Sequence, residues 1–418
     1  MNLRDTEHRV VITGMGALTP LGQSVDEFWD GLVAGRSGID HMALCDPTGF
    51  PCTVAGEVTD FRPEDHLNPK AARRMARFAQ LAVVAARQAI DDARLDLSRE
   101  PRERCGVLLG NGNGGYPELE SGARTLVAKG GTRLSPFFFP MTLPNIAASQ
   151  VSLTYGLTGY TSTVVTACAA GTQAIGEAAE VIRRGSVDLL ITGGVEAGIS
   201  RLGLGGFCAM KALSTTRNDT PQEASRPFDA ERDGFVPAEG AGILVLERLS
   251  HAQQRDAPIL AEVIGFGVSS DAYHVVQPDE DGAGAARAMS WAIEDAGLRP
   301  DEVHYINAHG TSTPLNDAVE TLAIKRVFGD HAYRIPISST KSMIGHALGG
   351  AGGMEAVAAV RTITSGVIHP TINLEYPDPS CDLDYVPKEA RRQEVRVVMS
   401  NSFGFGGQNA CLILGSAA

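Results

Sequence analysis

Two segments of this chain occur twice in similar form, and this repetition restricts the fold more than any other feature of the sequence. RVVITGMGAL, beginning at Arg9, is similar to LAEVIGFGVSS, beginning at Leu260. A strand, a turn of small residues and an alanine-rich helix surround Cys168, and the same pattern returns as SSTKSMIGHALGGAGGMEAVAAV from Ser338. Repeated β/α units with buried strands of the parallel type predict two similar halves packed face to face. Their turns would share one cleft at the carboxyl ends of the strands.

The apolar pattern predicts the individual elements. Strands are expected at residues 9–13, 105–109, 188–194, 240–247, 259–265, 303–308, 337–340, 395–400 and 410–414, and helices at 25–34, 70–95, 284–296 and 352–364. We interpret residues 135–144 (SPFFFPMTLP) as a loop and Gly14-Met-Gly16 as a turn. This turn does not complete a dinucleotide-binding G-x-G-x-x-G motif, because Thr19 occupies the third glycine position.

Cys168 lies where a predicted strand runs into a predicted helix, within residues 164–185. The positive end of a helix macrodipole favours the thiolate, so this position predicts a lowered pKa for the thiol. Ala167, Ala169 and Gly171 are small and leave room for a sharp turn and a substrate. A buried, unreactive cysteine is the alternative interpretation.

Composition narrows the class of protein. With 418 residues, 43% of them hydrophobic and 20% charged, the chain is typical of a water-soluble protein with two or three domains or one large duplicated domain. A net charge of −13 argues against general nucleic-acid binding. Seven cysteines without C-x-x-C spacing argue against a disulfide framework or a zinc site. With no apolar targeting segment or membrane-length apolar run, we expect a cytoplasmic protein that does not associate with membranes.

Three further segments place reactive side chains at strand exits. NAHGTSTP contains His309, STKSMIGH contains Lys341 and His346, and NSFGFGG is a glycine loop carrying Phe403 and Phe405. One histidine in such a turn is usually structural. Two histidines, a lysine and a cysteine, all at strand exits, together predict a catalytic site.

These motifs resemble, in order and spacing, those of the elongating, type II β-ketoacyl-acyl carrier protein synthases. TACAAG, NAHGTSTP, STKSMIGHALGGAGG and NSFGFGG carry the similarity, and connecting segments such as ASRPFDAERDGFVPAEGAG extend it over essentially the whole chain. The resemblance implies an α/β, thiolase-like, duplicated fold with five α-β-α-β-α layers. It divides the chain into halves at 1–254 and 255–418, and it implies a homodimer that acts on acyl- and malonyl-loaded acyl carrier protein.

The resemblance also implies roles for the motif residues. Cys168 would carry the acyl chain, and the N–H groups of Cys168 and Phe405 would form the oxyanion hole. His309 and His346 would donate hydrogen bonds to the malonyl thioester carbonyl. Lys341 would supply positive charge near His346, with Glu355 as its anchor, and Phe405 would gate the acyl chain. The chemistry requires no redox cofactor.

Other positions are assigned by the same resemblance. The expected substrate contacts are Thr311 and Thr313 on the pantetheine arm, Phe403, and Asn113 at the floor of the acyl pocket. The expected carrier-protein docking residues are Arg73, Arg74, Lys211 and Arg133, which form a local basic region able to attract an acidic partner. By family analogy a monovalent cation would lie near Asn307, Glu355 and Ser400, and no other metal is implied.

Three residues depart from the family pattern and leave alternatives open. Asn113 stands where an apolar residue is usual, Val276 replaces a hydroxyl residue and Gln408 replaces a threonine. A ketosynthase subunit of a polyketide pathway therefore remains an alternative to fatty acid elongation. A non-catalytic subunit that sets chain length would lack Cys168, and a degradative thiolase would need a second cysteine in another setting. A Cys–His hydrolase gives no reason for paired histidines.

Overall fold

The strands form where β-branched and apolar residues run together. In the computed structural model, which describes residues 9–417, they are β1 (Val10–Leu18), β2 (Ile39–His41), β3 (Val54–Gly56), β4 (Cys105–Gly110), β5 (Thr161–Val164), β6 (Leu189–Glu196), β7 (Gly240–Arg248), β8 (Ala261–Ser270), β9 (Tyr305–Asn307), β10 (Ile337–Ser338), β11 (Val367–Ile368), β12 (Arg391–Arg392), β13 (Val397–Gly404) and β14 (Gln408–Gly415).

Helices occupy the segments with helical apolar spacing. They are α1 (Val25–Val33), α2 (Pro69–Ala72), α3 (Arg77–Asp92), α4 (Tyr116–Lys129), α5 (Phe138–Thr142), α6 (Ile146–Tyr155), α7 (Ala170–Arg183), α8 (Arg201–Ala209), α9 (Leu249–Gln254), α10 (Ala283–Ala296), α11 (Pro314–Phe328), α12 (Lys341–Ile344) and α13 (Ala351–Ser365).

The sheet repeats one topology twice. Ten strands follow the order β10-β9-β13-β14-β8-β1-β7-β6-β4-β5. In one half β4 pairs in parallel with β5 and β6, while β7 runs antiparallel to β6 and β1. In the other half β9 pairs in parallel with β10 and β13, while β14 runs antiparallel to β13 and β8. The predicted duplication is confirmed, although each half is mixed and not purely parallel.

The helices complete five layers. Helix α3 packs on β1 and β7 together with α6, and α10 packs on β8 and β14 together with α11. Helices α7 and α13 lie between the two halves of the sheet, where α7 contacts β4, β6 and β14 and α13 contacts β7, β6 and β13. The α-β-α-β-α arrangement is therefore as expected. A short antiparallel pairing of β1 with β8, from Val10 opposite Val263 to Ile12 opposite Ala261, joins the halves at one edge.

Glycines let the two central helices touch at their first turns. A Cβ at Gly171 would lie 2.8 Å from the carbonyl oxygen of Gly349 and 2.9 Å from the nitrogen of Gly353. A Cβ at Gly352 would lie 2.2 Å from Oγ1 of Thr172. No larger residue fits at these positions, so the amino-terminal turns of α7 and α13 meet backbone to backbone. The segments that precede both helices are thereby brought together.

Three predictions about local structure are wrong. The helix expected at 70–95 is broken, because Ala76 is extended (ψ 158°) and separates α2 from α3. The turn expected at Gly14–Gly16 is part of β1. These glycines allow α3 to approach the strand, since a Cβ at Gly14 would lie 2.2 Å from the oxygen of Ala89. The loop expected at 135–144 contains the short helix α5.

The predicted division between residues 254 and 255 falls at the end of α9, between β7 and β8. The exact boundary stays a prediction. Within residues 9–417 we find no helix with the length and hydropathy needed to span a lipid bilayer.

A histidine between two carboxylates ties α9 to the sheet. His251 Nδ1 lies 2.6 Å from Glu247 Oε2, and its Nε2 lies 2.9 Å from Glu100 Oε2. Hydrogen bonding to Glu247 raises the pKa of His251. Burial alone raises the pKa of Glu247, but hydrogen bonds from Arg255, His251 and Thr13 outweigh it and lower that pKa to about 2. The protonated imidazole is thus the form that the fold prefers.

We predict that His251→Gln lowers the free energy of unfolding in a pH-dependent way. Because the folded pKa of His251 is raised, its stabilisation is complete below about pH 6.5, the ordinary histidine pKa, and is lost as the pH rises through the folded pKa. Urea unfolding of wild type and variant between pH 5.5 and 9 measures the difference. His41→Gln, at an exposed position, is the control. A difference that does not change with pH would contradict the prediction.

Candidate active site

Cys168 lies in a 3₁₀ turn, Ala167–Ala169, between β5 and α7. Ala167 has a φ of +49°, a conformation that is uncommon for residues other than glycine. The loop after β13 packs against this turn, because a Cβ at Gly404 would lie 3.2 Å from the nitrogen of Cys168. The backbone N–H groups of Phe405 and Cys168 lie close enough to the cysteine sulfur to lower the pKa of its thiol. The two predicted oxyanion-hole donors therefore lie beside the sulfur.

The predicted lowering of the Cys168 pKa is wrong. Burial raises the pKa of the thiol to about 12, because the side chain is only 5% exposed and a thiolate there loses its hydration. Lys341 and the two backbone N–H groups lower the pKa in part, and Glu196 raises it. Desolvation outweighs the favourable position at the start of α7, so the resting nucleophile is a thiol.

Two buried histidines face each other. The ring centroids of His309 and His346 lie 5.4 Å apart and the rings are nearly perpendicular. Burial first, and then the positive charge of Lys341, lowers the pKa of both imidazoles well below the ordinary value. Neither ring nitrogen of His346 has a hydrogen-bond partner among residues 9–417. The pair is neutral at physiological pH, and His346 is available to bind a ligand.

Lys341 forms a buried ion pair with Glu355, as the sequence predicts. Its ammonium also donates to the carbonyl oxygen of His309 at 2.7 Å and lies 3.4 Å from Nδ1 of that ring. The hydrogen-bonded histidine is thus His309, whereas His346 was expected as the neighbour. Lys341 still acts on His346 through its charge. Burial raises the pKa of Glu355 and the charge of Lys341 opposes this effect.

Cys168, His309 and His346 line one cavity of about 350 Å³, which we name the large cavity. The other predicted residues in its lining are Thr311, Thr313, Phe403, Phe405 and Lys211. Oγ1 of Thr311 and Oγ1 of Thr313 lie 2.9 Å apart. Phe403 contacts His309 edge to face, with ring centroids 5.6 Å apart. Val276, one of the departures from the family pattern, also lines it.

Asn113 does not line the large cavity. Its Nδ2 is buried without a hydrogen-bond partner among residues 9–417, and a Cβ at Gly198 would lie 3.0 Å from it. Gly198, His346 and Leu348 line a second cavity of about 20 Å³, which we name the small cavity. The unpaired amide therefore lies behind one wall of an apolar space next to His346.

The three residues named for a cation have unpaired oxygens. Pairing of β9 with β13 places Asn307 beside Ser400. Oδ1 of Asn307, Oε2 of Glu355 and Oγ of Ser400 are buried, and none has a hydrogen-bond partner among residues 9–417. Oxygen donors of this kind suit a hard cation. The residues present therefore fit a monovalent ion.

The predicted docking residues Arg73, Arg74, Arg133 and Lys211 are exposed. None of them forms an ion pair with a carboxylate of residues 9–417, and the Arg74 guanidinium lies 4.8 Å from the centroid of the Phe137 ring. Arg77 closely follows Arg73 and Arg74 in the sequence, but its side chain points inward. It donates to Glu239 through two hydrogen bonds of 2.7 Å, so its charge is already paired.

Glu320 on α11 was not predicted. Its buried carboxylate accepts from the backbone nitrogens of His309 and Gly310, both at 2.8 Å, and from Asn401 Nδ2 at 3.2 Å. Glu320 thereby fixes the loop that carries His309. Sequence reasoning finds site residues through motifs of fixed spacing, and Glu320 lies in no such motif. In the sequence it resembles any solvent-exposed glutamate of a helix.

A buried thiol, two backbone donors aimed at it and two neutral imidazoles make a site for acyl transfer through a covalent thioester. The sequence profile "Beta-ketoacyl synthase, N-terminal domain" matches residues 7–252, and "Beta-ketoacyl synthase, C-terminal domain" matches residues 260–375. The chain belongs to the β-ketoacyl synthase family.

Relatives and solved structures agree with this assignment. The 3-oxoacyl-[acyl-carrier-protein] synthase 2 of Synechocystis sp. is 50% identical over 97% of both chains. A beta-ketoacyl synthase from Burkholderia phymatum STM815 superimposes with a TM-score of 0.91 at 39% identity, covering 98% of this chain and 100% of that one. A type II PKS ketosynthase in complex with its acyl-carrier protein gives a TM-score of 0.90 at 36% identity, covering 99% and 100%.

We predict that Lys341→Met destabilises the protein. Removing the cation leaves Glu355 buried without its charge partner, which costs about 3 kcal/mol or more. Urea unfolding monitored by circular dichroism measures the loss. The double variant Lys341→Met with Glu355→Leu removes both charges and should recover most of it. A loss below about 1 kcal/mol in the single variant would be inconsistent with this prediction.

Proposed function

We propose that this protein is a 3-oxoacyl-[acyl-carrier-protein] synthase that elongates fatty acyl chains by decarboxylative condensation with malonyl-acyl carrier protein. One observation carries the proposal: Cys168, His309 and His346 lie in the wall of one cavity. The Synechocystis relative, which is 50% identical over 97% of both chains, is named for this activity.

In the first step Cys168 takes up the acyl chain. A neutral imidazole of the pair accepts the thiol proton as the sulfur attacks the thioester carbonyl, since the raised pKa leaves little free thiolate. The N–H groups of Cys168 and Phe405 stabilise the oxyanion, and loss of one such donor typically costs about 10²–10³ in rate. The carbon–sulfur bond to the carrier breaks, and the proton passes to the departing carrier thiolate.

In the second step malonyl-acyl carrier protein loses CO₂. The bond between the α-carbon and the carboxylate breaks, and the electron pair moves into the thioester to give an enolate. Neutral His309 and His346 donate N–H groups to the enolate oxygen. Burial and the charge of Lys341 keep both imidazoles neutral, and the hydrogen bond from Lys341 to the His309 carbonyl holds that loop in place.

In the third step the α-carbon attacks the carbonyl of acyl-Cys168. A carbon–carbon bond forms and the bond to sulfur breaks, which gives 3-oxoacyl-acyl carrier protein and the Cys168 thiolate. This thiolate takes up one proton from water and returns to the thiol. Phe405 is half-buried, lies between Gly404 and Gly406, and lines the large cavity. This position suits a gate for the acyl chain. Thr311, Thr313 and Phe403 would contact the pantetheine arm along the same wall.

The acyl chain would extend from Cys168 toward the small cavity. That cavity is apolar and adjoins the large one at His346 and Leu348, which line both. At about 20 Å³ it must open to accept more than a short chain. Asn113 lies behind its wall with an unpaired amide, so we propose that this residue affects chain length.

A monovalent cation would be held by the oxygens of Asn307, Glu355 and Ser400. When bound, it would supply positive charge that balances Glu355 beside Lys341. It would also link β9, β13 and α13, the elements that support the histidine loops. The ion would play a structural part and enter no chemical step.

The acyl carrier protein would dock at Arg73, Arg74, Arg133 and Lys211. All four are exposed and free of carboxylate partners in residues 9–417, and Lys211 lines the large cavity. An acidic carrier would be attracted there despite the net charge of −13, because solvent and salt screen distant charges more than near ones.

We propose a homodimer formed through the edge of the sheet at β5. This strand is the last of the ten, so one side of its backbone lacks a neighbouring strand. Apolar side chains are exposed on the elements around it, with Phe139 at 69%, Leu153 at 75% and Val165 at 54%. A second copy would cover this surface.

We predict that Cys168→Ala lowers condensation by at least about 10³-fold, since no other group can hold the acyl chain. Cys168→Gln should retain malonyl decarboxylation, because the histidine pair is untouched. Release of CO₂ and formation of 3-oxoacyl product are measured separately. Cys105→Ala, a buried cysteine at the far end of β4, should behave as wild type. Full condensation by Cys168→Ala would defeat the proposed function.

We predict that Arg73→Glu with Arg74→Glu raises KM for acyl carrier protein about tenfold, and more at low salt, by reversing two charges at the docking surface. Steady-state kinetics at 20 and 300 mM NaCl test this. The matched control is Arg326→Glu with Arg334→Glu. Arg326 lies near the end of α11 and Arg334 lies after that helix, and both are exposed and outside the lining of the large cavity. An unchanged KM at low salt would remove Arg73 and Arg74 from the docking site.

A further inference from the structure

Glu196, the last residue of β6, is fully buried and has an unusual set of partners. Its Oε2 accepts from the backbone nitrogens of Gly112 at 2.9 Å and Gly349 at 3.3 Å. Its Oε1 accepts from the nitrogen of Asn113 and from Asn111 Nδ2, both at 3.3 Å. None of these partners is a cation, in contrast to Glu355, which is paired with Lys341. Three backbone N–H groups and one side-chain amide thus solvate this carboxylate.

The carboxylate links β6 to two loops of the site. Gly112 and Asn113 belong to the loop after β4, whose Asn113 side chain lies behind the small cavity. Gly349 belongs to the 3₁₀ turn Leu348–Gly350, three residues after His346. The two loops also touch directly, because a Cβ at Gly349 would lie 2.3 Å from the nitrogen of Gly112. Glu196 therefore fastens a loop of one half of the fold to the histidine turn of the other.

Glu196 also lies near the turn that carries Cys168. A Cβ at Gly112 would lie 2.8 Å from Glu196 Oε2 and 3.7 Å from the carbonyl oxygen of Ala167, the residue before Cys168. The negative charge of Glu196 raises the pKa of the Cys168 thiol, whereas Lys341 lowers it. The remaining polar groups around the sulfur are the N–H groups of Phe405 and Cys168, and His309 and His346 share the cavity with it. Burial raises the pKa of Glu196 itself to about 7, so the opposing charge is present mainly above neutral pH.

We propose that Glu196 is a positioning residue that fixes the turn after His346 against the loop beside the acyl cavity and places a negative charge beside the turn that carries Cys168. The positioning part rests on the proposed function. The carboxylate requires no contact with substrate, because it works through the backbone of residues 112, 113 and 349 and through its charge.

The test compares Glu196→Gln with wild type by two measurements. In the variant an amide NH₂ replaces one acceptor oxygen and faces backbone donors, and the negative charge is lost. The rate of Cys168 alkylation by iodoacetamide, followed from pH 6 to 10, should therefore rise at lower pH than in wild type. In the condensation assay kcat should fall at least about tenfold, with a smaller change in KM for malonyl-acyl carrier protein.

Two further variants keep the test decisive. Glu57→Gln removes another buried carboxylate that accepts from two backbone nitrogens, those of Ala43 at 2.8 Å and Leu44 at 3.0 Å, and it should leave the alkylation profile unchanged. Glu196→Asp keeps the charge but shortens the reach by one methylene. It should keep the wild-type alkylation profile while kcat falls, and this fall in kcat tests the positioning role if Glu196→Gln fails to fold.

An alkylation profile that is identical in wild type and Glu196→Gln overturns the proposal, even if kcat falls, since that result describes a purely structural residue. A shifted profile in Glu196→Asp or in Glu57→Gln overturns it as well. If the wild-type protein forms no 3-oxoacyl product, the proposed function fails. The alkylation profiles would still decide whether Glu196 opposes ionisation of Cys168.

Discussion

The close contact between the first turns of α7 and α13 is the constraint on which the rest of the structure depends. Glycines at 171 and 352 let these two helices meet backbone to backbone between the two halves of the sheet. Cys168 lies just before one helix and His346 just before the other. The same contact that closes the central layer therefore brings the nucleophile to the histidine pair. A methyl group at these glycines would separate the reacting groups as well as the helices.

Burial of this junction then sets the protonation state of every group in it. Away from water the neutral forms are favoured, so the thiol keeps its proton and both imidazoles lose theirs. Lys341 and Glu355 form a buried ion pair beside these groups. Neutral imidazoles are the form that can donate to an enolate oxygen and also accept a thiol proton. The site is ready for both steps before substrate enters.

Sequence reasoning found the residues of the site but not all of their properties. The motifs around Cys168, His309 and His346 were recognisable because reactive residues stood among small ones at strand exits. The raised pKa of Cys168 was missed, because a helix terminus is visible in a sequence and desolvation is not. Arg77 follows Arg74 by three residues in the sequence, but a break before α3 turns it toward Glu239, and a linear pattern does not show that break.

The sequence by itself determined the duplicated α/β architecture, the reactive residues and the family, because each follows from local spacing and motif identity. Only the tertiary structure decided which histidine contacts Lys341, how the thiol ionises, and that Glu196 and Glu320 fasten the loops of the site. These properties depend on contacts between separate segments of the chain or on the loss of water around a group. Neither is encoded at any single position of the chain, since both arise only when the chain folds.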